Sequence, residues 1–159
     1  MGMIEYAQEK AILAIKNREF CDFLCGYGDY RIPDRSGFSA TDRSGILSCV
    51  VYGLYESDET IKALFEDSIT ILLNGNLFEF MTAFNYISLH KLCERRKTAP
   101  FLLDSSCIKL LVEQLKNRKP DLLQYKEYAE FGAMLPNGAW DTIQNTNNYF
   151  LQEYGFSFL

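Results

Sequence analysis

The stretch DETIKALFEDSITILLNGNLFEFMTAFNYI, residues 58–87, decides the fold class. Its first half places Ile61, Leu64, Phe65, Ile69, Leu72 and Leu73 at intervals of three and four, the spacing of one face of an α-helix. Ser57, Asp58 and Glu59 precede it and supply a cap and negative charge where a helix N-terminus favours both. Asn74-Gly75 closes the helix, read here as a left-handed C-cap. The second half resumes the helical interval at Leu77, Phe80, Met81, Phe84 and Ile87 and runs on through Leu89 and Leu92 to the basic run Arg95-Arg96-Lys97, with Pro100 beyond it. Two helices joined by two or three residues must lie side by side and antiparallel.

The same grammar extends in both directions. Upstream, Ile4, Ala7, Ala11, Leu13, Ala14 and Ile15 recur at helical spacing from Met3, and the pattern predicts one helix to about Leu24 or two short ones breaking near Asn17. Gly26 and Gly28 end it. Residues 27–41, rich in Gly, Ser and Asp and containing Pro33, read as the longest loop. The segment 46–55 is nearly all apolar and reads as the central helix, with Thr41 or Asp42 as its cap. Downstream, Asp104 or Ser105 caps a helix whose apolar positions are Cys107, Ile108, Leu110, Leu111, Val112 and Leu115 and which ends at Lys116, Arg118 and Lys119. Pro120 suits the first turn of another helix, from Asp121 to about Phe131. Trp140 to Tyr154 forms a last one, packing through Trp140, Ile143, Phe150 and Leu151 despite four polar residues of low helix propensity at Asn145–Asn148.

No alternating strand pattern bounded by hairpin turns is found. The expectation is an all-α fold of about seven helices in antiparallel pairs, one domain over residues 1–159 with a long loop at 27–41. A short α-solenoid of three pairs (42–73, 76–118 and 121–154) and an orthogonal bundle satisfy the pattern equally. At 159 residues, 48% apolar and 14% aromatic, such a chain has the means to bury a core without staples.

Chemistry is scarce. The single histidine, His90, excludes any mechanism needing a pair. His90 with Cys93, or Cys21 with Cys25, lacks zinc-loop spacing, and cysteines on apolar helix faces act as small core residues. A Cys93 thiolate beside His90, Lys91 and Arg95 is the one nucleophile to weigh, and it sits inside a helix without an oxyanion loop. Phosphate-loop, dinucleotide and metalloprotease patterns are missing. We therefore expect no catalytic residues, no metal and no cofactor. Five cysteines, an odd number, with no signal peptide recognisable at Met1, point to reduced thiols in the cytoplasm. The longest apolar stretch, 69–87, is interrupted by Asn74, Gly75, Asn76, Glu79 and Asn85 and does not read as a membrane span.

The net charge of −5 disfavours nucleic acid and anionic membranes and favours a basic protein partner. Acids outnumber bases in 46–80 and from 120 onward, and bases dominate 81–119. Arg95-Arg96-Lys97 with Lys116, Arg118 and Lys119 reads more simply as charge complementing helix C-termini than as a patch. The tandem Asp34-Arg35-Ser36-Gly37 and Asp42-Arg43-Ser44-Gly45 reads as two turns, with an anion-gripping loop as the alternative. Ten tyrosines and twelve phenylalanines exceed the needs of a small core. Tyrosine combined with Asp and Glu forms protein-binding surfaces, and end-of-helix aromatic packing is the competing account. On that composition the candidate partner-binding residues are Tyr52, Tyr55, Glu56, Asp58, Glu59, Glu66 and Asp67, together with Tyr125, Glu127, Tyr128 and Glu130.

Residues 69–87, followed by Lys97-Thr-Ala-Pro-Phe101 and the helix to Lys119, resemble small helical immunity proteins of bacterial polymorphic toxin and contact-dependent growth inhibition systems. Those proteins show a helix, a Leu-Leu-x-Gly-Asn-like turn, a helix with Asn-Tyr-Ile, and a loop ending in Pro-Phe. The likeness covers about a third of the chain. It implies a cytosolic protein that binds and neutralises a cognate toxin domain. It does not extend to the N-terminal third or to the Asp-Arg-Ser-Gly tandem. A helical-repeat adaptor with an endogenous partner, and a small enzyme using Cys93 or a carboxylate, are the alternatives.

Overall fold

The computed structural model describes residues 2–31, 46–47, 49–51, 53–54, 58–95, 105–124 and 139–159, and for 3, 89–95, 105–107 and 139–142 the backbone alone. The fold is all-α, and the described residues contain no strand. Helix α1 spans Met3–Asn17 and α2 Phe20–Cys25, followed by a 3₁₀ turn at Gly28–Tyr30. Then come α3 (Thr60–Leu73), α4 (Leu77–Arg95), α5 (Ser105–Asn117), α6 (Lys119–Leu123) and α7 (Ala139–Tyr154). Between α2 and α3, residues 46–47, 49–51 and 53–54 are also helical. Helices α3 and α4 pack most extensively on each other; α2 lies against both, α5 against α3, and α7 against α4 and α5. Such cross-packing, with buried residues joined in one cluster from Ala7 to Phe158, is that of a bundle rather than a solenoid whose pairs meet only their neighbours.

The centre of the bundle is α4. Every residue from Phe80 to Ile87 is buried, Thr82 and Asn85 included, so this stretch of the helix is covered all round. Thr82 Oγ1 donates to Phe78 O at 2.9 Å, which lets a hydroxyl be buried within an apolar shell. Tyr86 packs edge-on against Phe65 of α3 and donates from its hydroxyl to Leu24 O of α2, tying three helices together. In the segment expected to be central, 46–55, the described residues Leu47, Val50, Val51 and Leu54 are buried whereas Cys49 and Gly53 are exposed.

Three expectations need correction. The buried face of α1 consists of Ala7, Ala11 and Ala14, with Ile4 and Leu13 exposed, because only small side chains let α1 approach its neighbours closely. The loop from Tyr27 opens with the 3₁₀ turn, whose Tyr30 is buried. Asn74 has φ −99° and Gly75 no positive φ, so the α3 C-terminus is not a left-handed cap. Asn74 Nδ2 donates to Thr70 O at 2.9 Å instead, and Arg118 donates from one terminal nitrogen to Leu73 O at 3.0 Å and Gly75 O at 2.8 Å. The same arginine bonds Asp121 at 2.8 Å and lies 4.3 Å over the Phe80 ring. Arg118 thus stitches the α5–α6 junction to the α3–α4 turn, and the sequence reading of it as a complement to its own helix was incomplete.

Left-handed caps do end α1 and α2. Arg18 has φ 60°, and the N–H groups of Arg18 and Glu19 donate to Ile15 O and Ala14 O; Gly26 and Tyr27 repeat the pattern onto Phe23 O and Asp22 O. At the start of α4, Asn76 N–H donates to Glu79 Oε1 at 3.0 Å and Glu79 N–H to Asn76 Oδ1 at 2.9 Å, a reciprocal capping box. In the last segment Asn147, 7% exposed, accepts from the N–H groups of Phe158 and Leu159 at 2.7 and 3.2 Å. The Asn-rich stretch that weakens α7 as an isolated helix therefore serves to hold the chain that follows it.

Candidate functional site

A groove of about 480 Å³ opens where the α1–α2 junction meets α3. From α1 comes Ile15; from the junction Arg18 and Glu19; from α2 Phe20, Cys21 and Asp22; and from α3 Leu64, Asp67, Ser68 and Ile71. The α3 set falls at i, i+3, i+4 and i+7, one stripe of a helix. That stripe is distinct from the buried stripe through Ile61, Phe65 and Leu72. The floor is apolar and closed: Phe20 and Ser68 are each 3% exposed, and Ser68 Oγ satisfies itself by donating to Leu64 O at 2.7 Å. The rim is wet and charged, with three acids against one base, and Ile71 stands 61% exposed upon it. An isoleucine that far out of the core is an apolar surface left uncovered by the described residues.

Glu19, Arg18 and Cys21 each have a local reason for their position. Glu19 accepts from the Tyr30 hydroxyl at 2.6 Å, and that bond to a carboxylate raises the tyrosine pKa. Arg18 is held out by the left-handed cap, a conformation that costs a non-glycine residue about 1 kcal/mol. Cys21 lies half-buried against Ser68 O at 4.0 Å, and burial pushes its thiol pKa up, against the direction a nucleophilic thiolate needs.

Of the sequence-chosen residues that are described, Asp67 alone lines this groove. Glu66, its neighbour, turns to Lys62 in an ion pair at 3.0 Å. Asp58 and Glu59 are exposed at the start of α3, where Asp58 accepts from Thr60 N–H and Thr60 Oγ1 at 3.0 and 2.7 Å. Those bonds hold the Asp58 carboxyl pKa below its usual value. Tyr52, Tyr55, Glu56, Tyr125, Glu127, Tyr128 and Glu130 lie outside the described residues, as does the Asp-Arg-Ser-Gly tandem; the side chains of His90 and Cys93 do too. Other tyrosines pack against rings or in the core. Tyr30 and Tyr86 are buried, Tyr149 and Tyr154 join a ring cluster with Phe150, and Tyr27 stacks on Phe78 at 5.7 Å while staying exposed. For Tyr30, Tyr149 and Tyr154 the aromatic-packing account fits.

The groove residues passed over in the sequence, Arg18, Glu19, Asp22 and Ile71, carried one readable signal. Ile71 is an apolar residue off the buried stripe of α3. Among the described residues no group of three or more His, Cys, Asp or Glu is arranged to hold a metal, and no helix is long and apolar enough to cross a membrane. No family model matches the chain, and neither a curated protein nor a solved structure matches it.

Proposed function

We propose that the protein is a non-catalytic, cytoplasmic protein-binding domain that neutralises a basic toxin domain. The observation that carries the binding reading is the acid-rimmed groove with Ile71 exposed on its lip. An apolar centre ringed by charge of one sign is how a protein surface combines contact area with steering of an oppositely charged partner. Burial raises the pKa of the Cys21 thiol in the groove, the wrong direction for a nucleophile at that position. The toxin assignment rests on the resemblance of residues 69–119 to helical immunity proteins. Co-expression with the C-terminal domain of the protein encoded immediately upstream tests it: restored growth and co-purification are expected, and failure of both removes the immunity reading.

A further inference from the structure

The groove and the outer flank of α1 form one feature. On a helical projection Ile4, Gln8, Ile12 and Ile15 lie within a quarter-turn of α1, beside its buried alanine face. Ile4 and Ile12 are 54% and 52% exposed, and Ile15 leads the strip into the groove toward Ile71. Glu5 and Glu9 border Ile12 on α1, and Glu19, Asp22 and Asp67 border the groove. Two bases lie among them, Lys16 on the same flank of α1 one turn beyond Ile12 and Arg18 on the rim of the groove. Among the described elements α1 packs chiefly on α2 and the 3₁₀ turn, and Ile4 and Ile12 stay exposed on this flank.

We propose that this strip and groove receive a basic amphipathic helix of the partner protein. Its aliphatic side chains settle on Ile12, Ile15 and Ile71, and Lys or Arg one turn away faces Asp22 and Asp67. The proposal rests on the protein-binding reading and names the chemistry of the partner. Charge complementarity decides the occupant. An acidic or neutral helix offers the same apolar contact and gains nothing from five acids opposed by two bases, whereas a basic one is both steered and held.

The test is a titration of the ¹⁵N-labelled full chain with three peptides of about ten residues, roughly three helical turns. One is a Leu/Lys peptide with leucines at i, i+3 and i+7, one its scramble, and one its Leu/Glu counterpart. The Leu/Lys peptide is expected to shift amides of residues 4–22 and 64–71 and to bind at least about fivefold tighter than the scramble. Asp67→Lys, at an exposed site, is expected to weaken it about tenfold, and Ile71→Ser about fivefold, with thermal melting confirming that both variants stay folded. Equal binding of scramble and patterned peptide, preference for the Glu peptide, absence of binding, or shifts confined to α5–α7 would each overturn the proposal. So would concentration-dependent shifts at the same amides without peptide, which place a second copy of the chain there. Peptide binding with failed toxin neutralisation removes the immunity reading alone. Neutralisation without peptide binding removes this inference alone.

Discussion

Lys16-Asn17-Arg18 and Lys116-Asn117-Arg118 close two helices of this protein with the same three residues, and the two arginines end in opposite circumstances. Arg118 adopts φ −114° and is absorbed: two backbone carbonyls, one carboxylate and one aromatic face surround it. Arg18 adopts φ 60° and projects into the rim of the groove with its backbone in a region that suits glycine. The local sequence ends both helices at the same letter. What the arginine then does is set by what lies across from it: the α3–α4 turn, with its unpaired carbonyls, for Arg118, and open solvent for Arg18. Gly26, which ends α2 with the same hydrogen-bond pattern as Arg18, shows that the left-handed cap does not need an arginine.

The comparison breaks most easily at Arg118. Arg118→Ala removes charge-assisted bonds to Leu73 O, Gly75 O and Asp121 and is expected to destabilise by about 3 kcal/mol in urea unfolding; Arg118→Lys should recover little, since a point charge cannot serve two carbonyls, a carboxylate and a ring together. Arg18→Ala should change stability by less than about 0.5 kcal/mol in the same assay. Next in size, Gly75→Ala places a Cβ 2.7 Å from Glu79 Oε1 and 2.9 Å from its Cβ, displacing the capping-box glutamate. A loss of about 1–2 kcal/mol is expected. Arg18→Gly reverses the sign: relief of the left-handed conformation should stabilise by about 1 kcal/mol, whereas Gly at 118 should cost as much as Ala.

The smallest effect concerns acid. The Asp58 carboxyl has a folded pKa below its unfolded one because it accepts two bonds from Thr60. Its contribution is present above the unfolded pKa, near 3.8, and is lost as pH falls through the lower folded value. Asp58→Asn should therefore flatten the acid limb of the stability curve slightly and leave the neutral region nearly unchanged. A steeper acid limb in the variant would contradict the assignment.

How much of this was legible beforehand depended on whether the deciding interaction was local. The stripe Ile61-Phe65-Ile69-Leu72, the break after Asn17 and the all-α class follow from spacing and caps a few residues long. The burial of every residue from Phe80 to Ile87 did not, because it depends on how many neighbours lie around the helix and not on its own apolar content. Arg118, Asn147 and the Tyr86 hydroxyl bond partners 43–45, 11–12 and 62 residues away. No window on the chain reveals such pairs. Among the described candidates the groove was legible at Asp67 alone, since a groove is made by two elements meeting and composition ranks residues one at a time.

The alanine face of α1 carries a last consequence. A helix held by Ala7, Ala11 and Ala14 gives up far less burial energy on detaching than one held by leucines and phenylalanines. Helix α1 therefore stands low on the ladder of local opening, and its amides should exchange with solvent before those of α3 and α4. Because Ile15 and Arg18 form one wall of the groove, each opening of α1 dismantles the site. An occupant closes that door: it slows exchange along α1 by the factor 1 + [L]/Kd, so that the N-terminal helix itself becomes the gauge of occupancy.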